Sequence, residues 1–268
     1  MNTTMKQAAT FHALHTDPDR PLLLANVWDV ASARLVENAG ASAVATTSAG
    51  VAWALGRPDG NALERADAIA TIARIATAVS VPVTVDIEAG YAADAHGVER
   101  TVDAVLDAGA VGINIEDGAL PPTELADRIR AARRSALRAG VPLFINARTD
   151  VYLRGLVAPE NLLAETIDRA DRYLDAGADG IFVPRLADRE TIAALAEAVE
   201  GPLNVMAGPG SLSVAELAGL GVARVSVGSS MAQAAYAVAR QAATELFAAG
   251  TYESLALALD YGELNSMF

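Results

Sequence analysis

The chain contains no cysteine among its 268 residues, which excludes thiol nucleophiles, disulfide bonds and thiolate metal sites. Its one lysine, Lys6, falls in an expected N-terminal helix, so a Schiff-base lysine inside the fold is excluded as well. Three histidines are present, His12, His15 and His96, and the first two belong to the same N-terminal segment as Lys6. Any catalysis must therefore rest on carboxylates, arginines, hydroxyls, amides and a hard metal ion.

Basic charge and long apolar runs are also scarce. The net charge is −13, and because phosphate groups are bound by basic patches, nucleic acids and anionic membranes are excluded as partners. No apolar run approaches the length of a membrane span, and residues 1–6 lack the apolar block of a signal peptide. We therefore expect a soluble, cytoplasmic protein.

The chain repeats one unit eight times, a short apolar strand followed by a helical segment. The near-continuous apolar strands are typical of parallel strands covered by helices, and four helices end in an Ala-Gly pair that leads into a strand. This count predicts an α/β fold of the (β/α)8 TIM-barrel type. A doubly wound open sheet is the alternative, which the lack of a Gly-rich fingerprint after the first strand disfavours. The strands are predicted near 22–28, 43–47, 81–86, 111–116, 142–148, 180–184, 202–206 and 224–227.

Additional helices are predicted at both ends of the barrel. An amphipathic helix over 4–15 precedes the first strand, a long alanine-rich helix covers 229–248, and a further helix covers 251–259. No linker divides the chain, so residues 1–268 are predicted to form a single domain.

The active site of such a barrel lies at the C-terminal ends of its strands. Asp86 and Glu88 follow the third strand two residues apart and so share a face. Two carboxylates held that close repel each other unless a cation or a proton lies between them. The other residues expected at these strand ends are Trp28, Asp29, Thr47, Ser48, Ala49, Gly50, Glu116, Asp117, Arg148, Thr149, Asp150, Arg185, Asn204, Ser226, Val227, Gly228 and Ser229.

These residue types indicate both a metal and an anionic substrate. Hard oxygen ligands suit Mg²⁺, with Mn²⁺ as an alternative. The two arginines, Arg148 and Arg185, and the small-residue loop 48–50 suit a small molecule that carries carboxylates or phosphate.

Several of these residues have an ordinary structural alternative. Asp29 and Asp150 could cap the helices that follow them, and Arg148 could simply pair with Glu116 or Asp117. The remaining alternatives are a plain turn at 208–211, a capped helix start at 228–230, a surface position for His96, and a sealed barrel mouth at Trp28 and Trp53.

Five motifs fall on five successive strand ends. They are Trp28-Asp29-Val30-Ala31-Ser32-Ala33, then Thr47-Ser48-Ala49-Gly50 with Leu55-Gly56-Arg57-Pro58-Asp59, then Val85-Asp86-Ile87-Glu88-Ala89-Gly90-Tyr91, Gly112-Ile113-Asn114-Ile115-Glu116-Asp117 and Asn146-Ala147-Arg148-Thr149-Asp150. In this order and spacing, over about residues 20–190, the chain resembles the isocitrate lyase/phosphoenolpyruvate mutase superfamily.

The resemblance implies a Mg²⁺-dependent barrel enzyme that acts on a C–C or P–C bond of a small 2-oxo or 2-hydroxy acid through an enolate. It implies that Asp86 is the direct metal ligand, while Asp59, Glu88 and Glu116 hold metal-bound waters. It further implies that Arg148 and Ser48, Ala49 and Gly50 hold the acidic group of the substrate, and we expect Trp28 and Asn204 beside them. Helix-swapped homo-oligomers, dimers or tetramers, are implied for the C-terminal helical region, 229–268.

One departure from the superfamily changes the expected reaction. Its lyase branches carry a mobile lid with a catalytic cysteine after the Glu-Asp pair, whereas here Glu116-Asp117 is followed at once by Gly118-Ala119-Leu120-Pro121 and a helix. The mutase and hydrolase branches place an asparagine in this lid, and none occurs between Asn114 and Asn146. Both chemistries that depend on the lid are therefore disfavoured.

The expected reaction is decarboxylation of oxaloacetate or a similar β-oxo acid, which needs a metal and electrostatics but little acid–base catalysis. Tyr91 or a metal-bound water is expected to supply the final proton. The alternatives are a C–C lyase of a 2-hydroxy di- or tricarboxylate, as in methylisocitrate lyases, a P–C phosphonomutase or hydrolase, and a non-catalytic carboxylate-binding protein.

Overall fold

The computed structural model describes residues 3–17 and 20–268, so Met1 and Asn2 of the predicted N-terminal segment lie outside the described residues. Its strands are all parallel and form one sheet in the order β1-β9-β8-β7-β6-β5-β4-β3-β2. The first predicted strand is interrupted at Ala25, so its first half pairs with β9 and its second half with β3. The sheet therefore closes on itself, and the (β/α)8 prediction is confirmed. The strands are β1 Leu22–Leu24, β2 Asn26–Val27, β3 Val44–Thr46, β4 Val83–Asp86, β5 Gly112–Glu116, β6 Phe144–Arg148, β7 Gly180–Val183, β8 Leu203–Met206 and β9 Arg224–Ser226.

Helices surround the sheet, and their apolar faces follow helical spacing. In α5, for example, Val98, Val102 and Val105 are fully buried and occupy positions i, i+4 and i+7 of one face. Removing each such side chain from water contributes roughly 1.5–3 kcal/mol to folding. The helices are α1 Thr3–Ala13, α2 Val30–Asn38, α3 Ser48–Ala54, α4 Arg65–Ala78, α5 Ala95–Asp107, α6 Pro122–Ala139, α7 Val151–Arg154, α8 Leu162–Asp175, α9 Arg189–Ala198, α10 Val214–Gly219, α11 Ser230–Ala249 and α12 Tyr261–Asn265.

The repeated Ala-Gly pairs end helices as the sequence predicts. Gly140 closes α6 with φ 65°, a left-handed conformation, and its N–H donates to the carbonyls of Ala136 and Leu137. Gly177 adopts φ 106° after α8, against the side chain of Arg133. Glycine reaches this conformation without the steric cost that a Cβ atom imposes, so each helix turns back into a strand within a few residues.

Helix α1 closes the N-terminal end of the barrel. Phe11 inserts its ring against Phe144 at a centroid distance of 5.5 Å, and the His15 ring stacks on Phe144 at 3.9 Å. A Cβ atom on Gly112 would lie 2.7 Å from the Phe11 ring, so the glycine makes room for this aromatic plug. The N-terminal end of the barrel is therefore closed, and the open side of the barrel is at the C-terminal ends of the strands.

Two local predictions are wrong. The small-residue segment 48–50 is the first turn of α3 rather than a loop. The predicted helix over 251–259 is instead a 3-10 turn at Glu253–Leu255, and the last helix is the five-residue α12, which Asp260 caps. A segment whose side chains find no core gains little from helix formation, which explains the second error. In the described part of the chain, no helix is long and apolar enough to cross a bilayer.

Candidate active site

A cavity of about 160 Å³ opens among the C-terminal ends of the strands. Acidic, basic and hydroxyl groups face one another across it, and an apolar side is formed by Leu153, Phe182 and Pro184. Its lining residues are Asn26, Thr47, Ser48, Ala49, Asp59, Asp86, Asn114, Arg148, Leu153, Phe182, Pro184, Met206, Ser226, Gly228 and Ser229.

Asp86, the last residue of β4, is held rigidly in the cavity wall. Its backbone N–H donates to Thr46 Oγ1 at 2.9 Å, and its Oδ1 accepts the backbone N–H of Glu88 at 3.1 Å. The Ser48 hydroxyl donates to Asp86 Oδ2 at 2.9 Å. Three contacts thus fix one carboxylate at the edge of the space that a substrate would occupy.

Glu88 lies behind Asp86 in a strained backbone conformation. Its φ of 51° and that of Tyr91, 48°, are left-handed values that non-glycine residues rarely adopt, and such strain clusters at functional sites. Burial, together with the charges of Asp86 and Asp59, raises the pKa of the Glu88 carboxyl to about 7. Oε2 accepts the backbone N–H of Asn61, which ties the 57–61 turn to the site, while Oε1 is buried without a partner.

Tyr91 points to Glu88 rather than into the cavity. Its hydroxyl is hydrogen-bonded to Glu88, and burial together with the charges of Asp86, Glu88 and Asp59 raises the pKa of Tyr91 far above its ordinary value. The ring lies beside Leu63 and Asp94, in a separate surface depression. Tyr91, one of the two proton donors expected from the sequence, does not line the cavity.

Arg148, the last residue of β6, also lines the cavity. Its Nη1 lies 2.7 Å from Glu116 Oε2, its Nε donates to Asp150 Oδ1 at 2.7 Å, and its Nη2 donates to Asp150 Oδ2 at 3.2 Å. The guanidinium carbon lies 5.8 Å from the centre of the Phe182 ring. Burial alone would lower the pKa of Arg148, but the charges of Glu116, Asp150 and Asp86 outweigh it and raise the pKa. Arg148 is permanently cationic.

The carboxylates around Arg148 have separate roles. Burial raises the pKa of Glu116 to about 8, although Arg148 opposes that shift. The Asp117 carboxylate does not pair with the Arg148 guanidinium; it accepts from Arg169 Nη1, from the Tyr173 hydroxyl and from the backbone N–H of Asp150, each at 2.8 Å. The pairing alternative for Arg148 therefore holds for Glu116 and is wrong for Asp117.

The structure divides the predicted site residues into three groups. Asp59, Asp86, Ser48, Ala49 and Arg148 line the cavity. Glu88 and Glu116 lie behind the lining, whereas the residues placed outside the cavity are Trp28, Gly50, Tyr91, Asn204 and Arg185.

Each residue outside the cavity has a physical reason to be there. A Cβ atom on Gly50 would lie 2.8 Å from Trp28 Cβ, so Gly50 packs α3 against Trp28. Trp28 lies near Tyr236 of α11, with ring centroids 6.4 Å apart. Asn204 is fully buried in the barrel interior, and Arg185 is exposed with φ 63°.

Capping explains some strand-end residues and not others. Asp29 caps α2 in a reciprocal capping box with Ser32, so its structural alternative is confirmed. Asp150 makes no side-chain cap, because its carboxylate binds Arg148 and Arg154. Ser229, favoured as a helix cap, makes no capping hydrogen bond either and lines the cavity instead. His96 is an exposed residue in the first turn of α5, as expected.

Several lining residues were missed by sequence reasoning. Asn26 and Asn114 are polar residues within apolar strands, and that interruption was the available signal. Leu153, Phe182, Pro184 and Met206 carry no such signal, because an apolar residue near a strand end is equally expected in the core.

The donor set fits a magnesium ion held mostly through water. The charges of Asp86 and Asp59 raise the pKa of Glu88, those of Asp86 and Glu88 raise the pKa of Glu116, and Arg148 alone does not balance these carboxylates. The buried, unpartnered Oε1 of Glu88 has room for a hydrogen bond from a bound water. No three His, Cys, Asp or Glu side chains of residues 3–17 and 20–268 form a ready-made cage, which agrees with the habit of Mg²⁺ of keeping several waters on one or two carboxylates. The assignment of Asp86, Glu88 and Glu116 to a metal stays a prediction.

The segment between Asp117 and α6 is short. Leu120 N–H donates to the Asp117 carbonyl at 2.7 Å in a tight turn, and α6 begins at Pro122. Nothing in this segment extends over the cavity lining. The shortened lid expected from the sequence is therefore present as a single turn.

Comparison with known proteins gives a consistent family. The protein-family model described as phosphoenolpyruvate phosphomutase matches residues 11–247 of this chain. A protein of Mycobacterium tuberculosis described only as uncharacterized is 39% identical over 259 residues, which are 96% of this chain and 95% of that protein. A solved structure from Burkholderia cenocepacia, described as a candidate phosphonomutase, has 44% identity and a TM-score of 0.83, and covers 88% of this chain and 98% of that one.

Two relatives have named activities. The 2-methylisocitrate lyase of Escherichia coli is 33% identical over 199 residues, which are 69% of this chain and 64% of the lyase. The oxaloacetate decarboxylase of Paraburkholderia xenovorans is 31% identical over 202 residues, which are 73% of this chain and 67% of that enzyme. The match to the family model runs from the helix that closes the barrel into α11, so it includes every strand that supplies the cavity. The chain therefore belongs to the phosphoenolpyruvate phosphomutase family of the isocitrate lyase/phosphoenolpyruvate mutase superfamily.

Proposed function

We propose that the protein is a Mg²⁺-dependent decarboxylase of a small 2-oxo diacid of the oxaloacetate type. One observation carries the proposal: Asp86 and Arg148 both line a small cavity whose described lining contains no cysteine, histidine, lysine, tyrosine or glutamate. Such a cavity can bind an anion and a metal but offers few side chains for proton transfer. A reaction whose bond cleavage needs no general base fits it best.

The size of the cavity supports a small substrate. Its volume of about 160 Å³ is well below the ~300–1,000 Å³ of sites that take drug-sized ligands. A four-carbon diacid suits this space better than a tricarboxylate does. The similarity to an oxaloacetate decarboxylase of Paraburkholderia xenovorans points in the same direction.

Arg148 is the proposed binding residue for a substrate carboxylate. A guanidinium has five N–H groups, and three of them are directed at Glu116 and Asp150. Two remain for the ligand, and the bonds to the two carboxylates hold the planar group in place. Ser226 and Ser229 on the cavity lining can add hydroxyl donors.

Asp86 would hold the metal ion directly, with Glu88, Glu116 and Asp59 accepting hydrogen bonds from its waters. When bound there, Mg²⁺ would supply Lewis-acid stabilisation of the negative charge that develops on the 2-oxo oxygen. Ser48 keeps the Asp86 carboxylate oriented through its hydrogen bond to Oδ2.

The bond that breaks joins C3 of the substrate to its distal carboxylate. The electron pair of that bond moves into the 2-oxo group to give the enolate of pyruvate, and carbon dioxide leaves. The departing carboxylate is already ionised at neutral pH, so no side chain has to remove a proton. Because Tyr91 is turned away from the cavity, the proton that reaches C3 comes from solvent.

The experiment is a substrate screen of purified protein with millimolar Mg²⁺, in which 2-oxo and 2-hydroxy acids are tested and pyruvate formation is measured. Oxaloacetate is expected to react faster than any 2-hydroxy acid, and Asp86→Asn to lose the protein-dependent rate. A faster reaction with a 2-hydroxy di- or tricarboxylate would instead support the C–C lyase alternative, and phosphonopyruvate turnover the P–C alternative. Oxalate binding without any turnover would support the non-catalytic alternative.

We also propose that the C-terminal region packs on a second copy of the chain. In α11, a helix of 20 residues, Ala232 is the one buried residue, and Phe247, Leu257 and Tyr261 are 86%, 97% and 82% exposed. Apolar surface of this kind marks interfaces, and identical copies present it to each other symmetrically. Light scattering after size-exclusion chromatography is expected to give a dimer or tetramer, and truncation after Gly250 a smaller species.

A further inference from the structure

We propose that Asn114 is a substrate-binding residue, whose side-chain N–H donates to a carboxylate oxygen at the inner end of the cavity, and that the buried Arg224 is the residue that positions it. The inference rests on the proposed function in one respect, that the ligand carries a carboxylate. Both residues lie on the inner side of the barrel: Asn114 lines the cavity, and Arg224 lies below it.

Arg224 is an unusual occupant of a barrel interior. Its side chain is 1% exposed, no carboxylate of the described residues lies within ion-pair distance, and Nε and Nη1 have no hydrogen-bond partner. Its guanidinium carbon lies 5.9 Å from the centre of the Phe11 ring. Its one described hydrogen bond to a side chain runs from Nη2 to Asn114 Oδ1 at 3.1 Å. A buried cation with so few partners costs folding free energy, so a functional reason for it is expected.

A chain of hydrogen bonds fixes which end of the Asn114 amide faces the cavity. Asn204 Nδ2 donates to the carbonyls of Val205 and Arg224 and to Ser226 Oγ, so Asn204 Oδ1 is left as an acceptor. Asn146 Nδ2 donates to that oxygen at 3.1 Å and to Asn114 Oδ1 at 2.9 Å.

Arg224 completes the orientation. A guanidinium can only donate, so the Asn114 atom that meets Arg224 Nη2 must be the oxygen. With Oδ1 taken by two donors, Nδ2 is the end of the amide that is left to the cavity. Asn114 pairs with Asp86 in the sheet register, so this donor lies on the strand next to the proposed metal ligand.

The positive charge of Arg224 also favours an anionic ligand in the cavity. Burial lowers the pKa of Arg224 to about 9, and the nearby charge of Asp86 opposes that shift, so the residue is a cation at neutral pH. A positive charge beneath the cavity favours an anion in a site otherwise rich in carboxylates. Because Asn114 Nδ2 can only donate a hydrogen bond, this end of the cavity favours a carboxylate oxygen over a group that must itself donate.

Oxalate binding, measured by calorimetry at saturating Mg²⁺, tests the inference without relying on turnover. Asn114→Ala removes the donor, and we expect about a tenfold loss of affinity, the usual effect of one hydrogen bond to a charged group. Asn114→Asp places a carboxylate oxygen in its position and is expected to lose more. Arg185→Asn removes an exposed arginine at a left-handed position that asparagine tolerates, and is expected to bind oxalate as the native protein does.

A double-mutant cycle separates positioning from packing. Arg224→Met fills the interior without charge and is expected to weaken oxalate binding several-fold, but to have no further effect when combined with Asn114→Ala. A purely structural role would instead lower the thermal midpoint and give independent losses of affinity. Mg²⁺ affinity, titrated alone, is expected to change little in Asn114→Ala.

The possible failures are distinguishable. If the native protein binds oxalate but does not decarboxylate oxaloacetate, the proposed function is wrong and this inference stands. If Asn114→Ala binds oxalate within twofold of the native protein, or the two substitutions act independently, the inference is overturned. If the native protein does not bind oxalate, both are overturned.

Discussion

Arg148 Nη1 lies 2.7 Å from Glu116 Oε2, across the last paired positions of β5 and β6. The two residues are opposite each other in the strand register, so the sheet itself sets their separation. Asp150 accepts hydrogen bonds from Nε and Nη2 of the same guanidinium. The cation that faces the substrate is therefore oriented by two carboxylates before any ligand arrives, and pre-organisation of this kind favours binding.

Arg148→Lys tests this orientation. Lysine keeps the charge but cannot bridge Glu116 and Asp150 with a planar fork, so kcat/KM for the proposed reaction is expected to fall by about a hundredfold. Steady-state kinetics measure the loss. The control is Arg154→Lys, because Arg154 also pairs with Asp150 at 2.9 Å but is half exposed and outside the cavity lining. Equal losses in the two variants would contradict a binding role for Arg148.

Tyr91→Phe tests the source of the final proton. Because the hydroxyl is bonded to Glu88 and lies outside the cavity, kcat is expected to stay within about threefold of the native value. A fall of two orders of magnitude or more in kcat would show that Tyr91 donates the proton.

His15 makes stability depend on pH. Burial, together with the nearby charge of Arg224, lowers the pKa of His15 to about 3, so the folded protein holds this ring neutral. In the unfolded chain the pKa is about 6.5, so the stabilisation is complete above that value and is lost as the pH falls toward 3. Between pH 8 and pH 4.5 the loss is about 2–3 kcal/mol from this residue.

Urea unfolding at the two pH values measures that dependence. His15→Gln is expected to show a smaller decrease in unfolding free energy than the native protein. His12→Gln serves as the control, because His12 lies in α1 three residues before His15 and its Nε2 lies 3.0 Å from the Pro142 carbonyl oxygen. The explanation fails if the His12 and His15 variants respond to pH alike.

Metal binding is testable without an activity assay. A ligand that binds only the folded state raises the unfolding midpoint, so millimolar Mg²⁺ is expected to raise the thermal midpoint of the native protein and not that of Asp86→Asn. Asp127→Asn is a suitable control, because Asp127 pairs with Arg130 at the exposed surface of α6. An equal shift in native protein and Asp86→Asn would place the ion elsewhere.

Much of the fold could be predicted from the sequence because each element carries its own local signal. Apolar strands and Ala-Gly helix ends placed all eight strands, and the long helix predicted over 229–248 is present as α11. The residues after Gly250 lack that signal. Their exposed apolar side chains give no guide to folding within one copy, and the predicted helix at 251–259 failed there.

Residues of the site could be predicted from the sequence where a charged side chain lies at the end of a strand, and not elsewhere. Asp86 and Arg148 were found because charged residues that directly follow buried strands have few structural explanations. Arg224 was missed because it begins its strand, at the end of the barrel opposite the expected site. Arg185 was expected at the site. It adopts a left-handed backbone conformation instead, and its side chain is exposed to solvent.

The most direct measurement follows oxaloacetate labelled with ¹³C at its distal carboxyl by NMR, in the presence of Mg²⁺ and protein. We predict that the label appears as carbon dioxide and bicarbonate together with unlabelled pyruvate, faster than with Mg²⁺ alone, and that Asp86→Asn reduces the rate to that of Mg²⁺ alone. Label recovered in acetate, or a native rate no greater than that of Mg²⁺ alone, would contradict the assignment of this protein as a decarboxylase of the oxaloacetate type.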